Sequence, residues 1–195
     1  MKTQHQHSEF TLSVNQVKAI YNAPFNFRDR VLIKTLYYAG LRRFEASELK
    51  VQDIDFNLNR IVVVKGKGSK MRVVPIIDMD YKADLNHLIG EQRDGYVFES
   101  QRGSKISVRQ INHIVMLAGK KAEVIHPNPH QKFINPHLFR HSIIRHLKSM
   151  GFQAEWLQNF AGHNSITTTM DTYGTLGIEE MQEIANKKLL LIENK

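Results

Sequence analysis

Between Asn59 and Ile77 the chain reads NRIVVVKGKGSKMRVVPII, two β-branched runs joined by a Gly/Lys turn and closed by Pro75. Valine and isoleucine at this density suit a pleated strand, and a glycine-bearing turn lets the second run fold back on the first. The segment reads as an antiparallel hairpin, with GYVFES at Gly95–Ser100 offering a third strand. Apolar residues before Asp53 and after Ser107 recur at helical spacing, so this small sheet separates the chain from an all-α bundle.

The helical segments are legible one by one. TLSVNQVKAIYNA has an apolar stripe at Val14, Val17, Ile20 and Tyr21 behind Ser13, a capping residue. NFRDRVLIKTLYYAG is apolar nearly all round and stops at Gly40, as a buried helix with a glycine C-terminus does. RRFEASELKV is short and ends before Asp53. From Ser107 the helical period returns in SVRQINHIVMLAGKKA and, after the Pro/His/Asn loop VIHPNPHQKFINP, in HLFRHSIIRHLKSMG, AEWLQNFAG, SITTTMDTYG and IEEMQEIANKKLLLI. The expected fold is mainly α with a small antiparallel β-sheet inserted early, an α+β class. With 195 residues and no repeat or low-complexity linker, the chain fits one domain over 11–176. Residues 1–10 read as a disordered tail and 177–195 as a C-terminal helix.

Charge and composition narrow the function. The 27 Lys and Arg against 19 Asp and Glu give a formal charge of +8, which favours a polyanionic partner such as nucleic acid, with a merely basic soluble protein as the plain alternative. No cysteine is present, which excludes disulfides, Cys-ligated zinc and thiol catalysis. The start, MKTQHQHSEF, lacks a hydrophobic signal core, and no apolar run approaches the roughly 18 residues of a membrane span. The expected setting is cytoplasmic and nucleoid-associated.

PHLFRH, Pro136 to His141, is the most informative short stretch. On a helix His137, Arg140 and His141 share a face, and Pro136 places them in a first turn whose free N–H groups attract anions. A zinc hydrolase of this spacing has a carboxylate beside its first histidine, as in H-E-x-x-H, and here that position is Leu138. Phosphate is favoured over metal, although structural histidines with a surface arginine explain the segment equally well alone. Arg42 and Arg43 after the glycine turn, the cations Lys65, Lys67, Lys70 and Arg72 around the hairpin tip, and His163 ten residues before Tyr173 each have a similarly plain reading as solvated or core residues.

Taken in order, however, AGLRRFEASELKVQDID, VKGKGSKMRVVPI, HLFRHSIIRHL and AGHNSITTTMDTYG resemble the motifs of the tyrosine recombinase, or phage integrase, family, from about Thr11 to Tyr173. The resemblance implies that family's catalytic-domain fold and its site residues. Arg42 matches the first catalytic arginine, in Gly-Leu-Arg followed by Glu45. Lys67 matches the hairpin lysine, with Lys65 and Lys70 close by, and His137 and Arg140 match His-x-x-Arg. His163 follows Gly162, and Tyr173 matches the nucleophile. His141 has no catalytic place in the resemblance and is expected, with Glu45, to be structural.

The implied reaction is metal-free site-specific DNA recombination. A tyrosine oxygen attacks the scissile phosphate, leaving a 3′-phosphotyrosyl link and a free 5′-hydroxyl, and another 5′-hydroxyl reverses the step. One ester replaces another, so no cofactor is implied. Arg42 and Arg140 would clamp the nonbridging oxygens, and His137 would act as base for a phenol that titrates near pH 10. Lys67 would protonate the leaving 5′-oxygen, and His163 would hydrogen-bond a nonbridging oxygen. Arg43, Lys65, Lys70, Arg72 and Arg109, together with Arg102 and Lys105, would track the phosphate backbone of double-stranded DNA.

Most family members carry an N-terminal DNA-clamping domain, for which this sequence offers no counterpart; the expectation is a catalytic half or a short member resembling the fimbrial-switch invertases. The C-terminal IEEMQEIANKKLLLIENK is expected to dock on its own protomer or on a neighbour within a homo-tetramer on DNA. Rival readings are type IB topoisomerase-like relaxation, a non-catalytic DNA-binding regulator, and a His-ligated metal hydrolase.

Overall fold

The computed structural model describes residues 10–64, 71–162 and 182. Helix α1, Val14–Asn22, starts where Ser13 Oγ accepts from Gln16 N at 3.2 Å and Gln16 Oε1 accepts from Ser13 N at 2.8 Å, a reciprocal cap. Its buried Val17, Ile20 and Tyr21 lie against α2, Phe27–Tyr38, whose Val31, Leu32, Ile33 and Leu36 are fully buried. Residues on every side of α2 are covered because α1, α4 and α6 all pack on it.

Helix α2 ends at Gly40, which adopts φ +56°. A Cβ there would stand 2.8 Å from Phe160 Cε1, so both the backbone conformation and the close approach of α7 demand glycine. After the turn come α3, Arg43–Glu48, and a 3-10 turn at Val51–Asp53. The sheet follows, with strand order β1-β2-β3 and antiparallel pairing throughout: β1 Ile54–Asp55, β2 Arg60–Val63 and β3 Arg72–Pro75. Ile61 pairs with Val74 and both side chains are fully buried, which sets the hairpin register.

Two elements differ from the sequence expectation. The third strand is Ile54–Asp55 rather than GYVFES. Around Gly95, at φ +92°, and Gly103, at φ +72°, the latter segment makes only isolated bridges, Lys50 to Tyr96 and Glu99 to Lys105, while Val97 and Phe98 fill the core. Helix α4, Met79–Ile89, is an element beyond those read from the apolar spacing; Asp78 caps it, accepting from Tyr81 N at 2.7 Å, and it buries Tyr81, Leu85 and Ile89 on α2.

The remaining helices stand where their apolar periods place them: α5 Val108–Lys121, α6 Pro136–Ser149 and α7 Ala154–Ala161. Phe152, just before α7, and Trp156 and Phe160 within it form a row with ring centroids 4.5 and 5.2 Å apart, and the fully buried Trp156 alone contributes on the order of 3 kcal/mol through its burial. Tyr37 Oη meets His146 Nδ1 at 2.6 Å and ties α2 to α6, where burial pulls His146 below its ordinary pKa. Gln182 donates its side-chain amide to the carbonyls of Leu58 and Asn59, the latter at 3.0 Å. No described helix is long and apolar enough to cross a membrane. The tail at 1–9, the SITTTMDTYG segment and all of the C-terminal stretch except Gln182 lie outside the described residues.

Candidate active site

The N-terminus of α6 is built by its own sequence. Asn135 Oδ1 accepts from Leu138 N at 3.2 Å, and Pro136 occupies a first-turn position that needs no N–H partner. Behind the cap, Asn135 Nδ2 approaches His126 Nε2 at 3.3 Å, and His126 Nδ1 accepts from Asn128 N at 3.0 Å. Burial lowers the pKa of His126 and so favours a neutral ring under the loop. The first turn of α6 thereby presents His137 to solvent and turns Arg140 inward.

Arg140 is 2% exposed, and its two terminal nitrogens donate to the carbonyls of Gly40 and Ala161. It thus joins the end of α2 to the end of α7. Burial and the neighbouring guanidinia of Arg42 and Arg72 lower its pKa to about 9, against the pull of Glu45. The group stays charged at neutral pH.

Glu45 organises the other two arginines. Its carboxylate accepts from Arg42 N at 2.8 Å and Arg42 Nη1 at 2.9 Å, and from Arg72 Nη1 and Nη2 at 2.6 and 2.8 Å. Burial pushes its pKa up, but the hydrogen bonds and charge of Arg72, joined by Arg42, override that and bring it to about 2. Arg42 reaches on to the carbonyl of Gly162 at 3.4 Å, and Arg72 Nε to that of Phe160 at 3.3 Å. Three cations from α6, the start of α3 and β3 are thus fastened by one carboxylate and four carbonyls around the end of α7.

Arg72 therefore takes a place other than the expected phosphate contact. It is 9% exposed, with its guanidinium fork spent on Glu45, and is a support for Arg42 rather than a surface cation. Arg72 and Glu45 are 27 positions apart, so spacing within the hairpin gave no sign of the pair. Lys105, expected at the DNA face, is exposed and ion-paired with Glu48. Arg43, Arg102 and Arg109 are exposed as expected, and Arg43 donates to Asn112 Oδ1 at 3.3 Å.

A cavity of about 360 Å³ is lined by Arg42 and Arg43 on one wall and Asn135, His137 and Arg140 on the other. It is rich in N–H donors and opens at a helix N-terminus, the chemistry that holds an oxyanion. A second cavity, about 380 Å³, lies between α3 and β2, where Glu45, Glu48 and Asp53 join Phe44, Leu49 and Val62–Val64, and this acidic and apolar lining is unfavourable to a phosphate. His137 and His141 meet through their Nε2 atoms at 2.7 Å. Among the described residues, no group of three or more His, Cys, Asp or Glu side chains is arranged to hold a metal ion. Lys65, Lys67, Lys70, His163 and Tyr173 lie outside the described residues.

The sequence model of the Phage integrase family matches residues 11–177. This chain belongs to that family. Among its phage integrase relatives, tyrosine recombinase XerA of Thermococcus kodakarensis is 34% identical over 190 residues, covering 93% of this chain and 63% of the relative. Tyrosine recombinase XerD of Corynebacterium glutamicum is 30% identical over 193 residues, covering 92% and 61%. The chain thus spans less than two thirds of the length of these curated relatives. A crystal structure of XerA recombinase superposes with a TM-score of 0.71 at 26% identity, covering 93% of this chain and 65% of the other. A lambda integrase dimer bound to a COC′ core site shares the fold, with a TM-score of 0.64 at 19% identity over 83% of this chain and 60% of the other. These phage integrase structures agree with a mainly helical domain carrying a small antiparallel sheet.

Proposed function

We propose that residues 11–176 form the catalytic unit of a site-specific DNA recombinase that breaks and rejoins double-stranded DNA through a 3′-phosphotyrosyl intermediate. The observation that carries the reading is the convergence of Arg42, His137 and Arg140 on one donor-rich cavity at the N-terminus of α6. Its fixed positive charge suits the charge that collects on the nonbridging oxygens of a phosphate under attack. In this reading Tyr173 supplies the attacking oxygen and His137 takes its proton. Lys67 protonates the departing 5′-oxygen, and His163 donates to a nonbridging oxygen. The same bonds reform when a 5′-hydroxyl of a second strand attacks the phosphotyrosine, so no external energy source enters.

The wider proposal is a homo-tetramer assembled on DNA at two paired sites in the nucleoid, with Arg43 and Arg109 among the cations on the phosphate backbone. A library of nicked duplexes with randomised core sequences, incubated with the protein and resolved on denaturing gels, tests the chemistry whatever the target sequence. The expected product is a covalent DNA adduct that maps to Tyr173, persists in excess EDTA and disappears in Tyr173→Phe. An adduct on another tyrosine, or none from any library member, would refute the assignment. Relaxation of supercoils without recombinant product on paired copies of the selected site would favour the topoisomerase-like reading.

A further inference from the structure

His137 and His141 face each other across one turn of α6, with Nε2 atoms 2.7 Å apart, ring centroids 4.1 Å apart and ring planes at 78°. Two imidazole nitrogens this close require one proton between them, since two lone pairs repel and two N–H groups collide. The protonation state of either ring is therefore set jointly with the other. We propose that His141 is a positioning and proton-sharing partner of His137, and that the two imidazoles act in strand cleavage as one acid–base unit. The inference rests on the recombinase reading and adds to it a residue with no assigned catalytic place.

Three features support the pairing. The rings project from consecutive turns of a helix whose opposite face is anchored by buried Leu138, Phe139, Arg140 and Ser142, so the backbone holds their spacing. Both residues are exposed, so the contact is not imposed by crowding in the core. Among the described residues, the charged side chains that line the cavity with His137 are the cations Arg42, Arg43 and Arg140. From α2, Tyr37 reaches α6 and bonds His146 rather than either of these rings. In this field a second positive charge on the pair is opposed, whereas a single shared proton is stabilised by the neighbouring ring as acceptor.

The consequence has a definite sign. With His141 removed, a protonated His137 loses its ring acceptor and becomes more acidic. It is then the weaker base for the phenol proton, so the cleavage plateau falls while the acid limb of the rate profile moves to lower pH. A merely structural His141 would change the rate without moving the limb.

The test uses the full chain and a nicked duplex selected as above, with single-turnover cleavage followed from about pH 5 to 9 for wild type, His141→Ala and His141→Gln. DNA affinity is expected to hold in both variants. The plateau is expected to fall about tenfold in His141→Ala and its acid limb to drop by about one pH unit, with a smaller displacement in His141→Gln, which keeps a hydrogen-bond acceptor. Imidazole nitrogen NMR of the free protein is expected to show the His137 midpoint moving down in the same order. An unchanged His137 midpoint in both variants, or an unchanged acid limb with a slower rate, would overturn the pairing. Absence of a Tyr173 adduct in wild type would instead overturn the recombinase reading, and the NMR arm would still judge the pair.

Discussion

Glu45 carries more of the site than its single charge suggests, because one carboxylate satisfies the guanidinium fork of Arg72 and both the backbone and side chain of Arg42. Glu45→Gln keeps the shape and removes the charge, leaving Arg72 buried without its counter-ion. Breaking a buried pair in this way is expected to cost about 3 kcal/mol, read as a lower urea midpoint, and to slow cleavage by freeing Arg42. The pH dependence follows from the depressed pKa, which is 4.5 in the ordinary state and about 2 here. The contribution is complete above pH 4.5 and is lost as pH falls towards 2. Wild type is therefore expected to lose up to about 3 kcal/mol across that window from this group, and Glu45→Gln to lack that component of its acid limb. Glu45 itself is legible as the acidic residue three after Arg42. The place of Arg72 is not, since a cation in a lysine-rich hairpin resembles its exposed neighbours until the fold brings α3 against it.

Helix α6 shows how an element's end positions chemistry. Its first turn holds His137 at the cavity through Asn135, so Asn135→Ala is expected to cost about 1 kcal/mol of stability and to slow cleavage out of proportion, with unfolding and single-turnover assays run side by side. The turn after α2 is the second such end. Gly40→Ala places a methyl 2.8 Å from Phe160 at φ +56°, and the strain is expected to lower the urea midpoint by the equivalent of about 2 kcal/mol. The carbonyl of Gly40 also accepts from Arg140, so cleavage should fall with it. The helices read from sequence are those with long apolar periods and clear caps, α1 with Ser13 and α2 with Gly40 among them. Helix α4 had the same signals, Asp78 ahead and Gly90 behind, but lies between strand-like runs that draw the reading towards sheet. GYVFES has strand composition, yet the glycine at its start bends it into isolated bridges, a tertiary outcome that β-propensity does not encode.

At the scale of the whole molecule, net charge and useful charge are different quantities. The formal +8 counts Arg72 equally with Arg43 and Arg109, but Arg72 is buried with its guanidinium fork spent on Glu45, while the other two are exposed. Only cations that reach phosphate release counterions, so binding should register them unequally. Measured as the slope of log K against log salt for duplex DNA, Arg43→Ala and Arg109→Ala are each expected to reduce the slope by about one. Arg72→Gln removes the same formal charge and, at a temperature where circular dichroism shows it folded, is expected to leave the slope unchanged while lowering stability. A reduced slope for Arg72→Gln would mean that the Glu45 pair opens on DNA and delivers its arginine to the backbone. Slopes unchanged from wild type in all three variants would mean that none of these side chains sits on the binding face, and the phosphate track would have to be sought elsewhere on the surface.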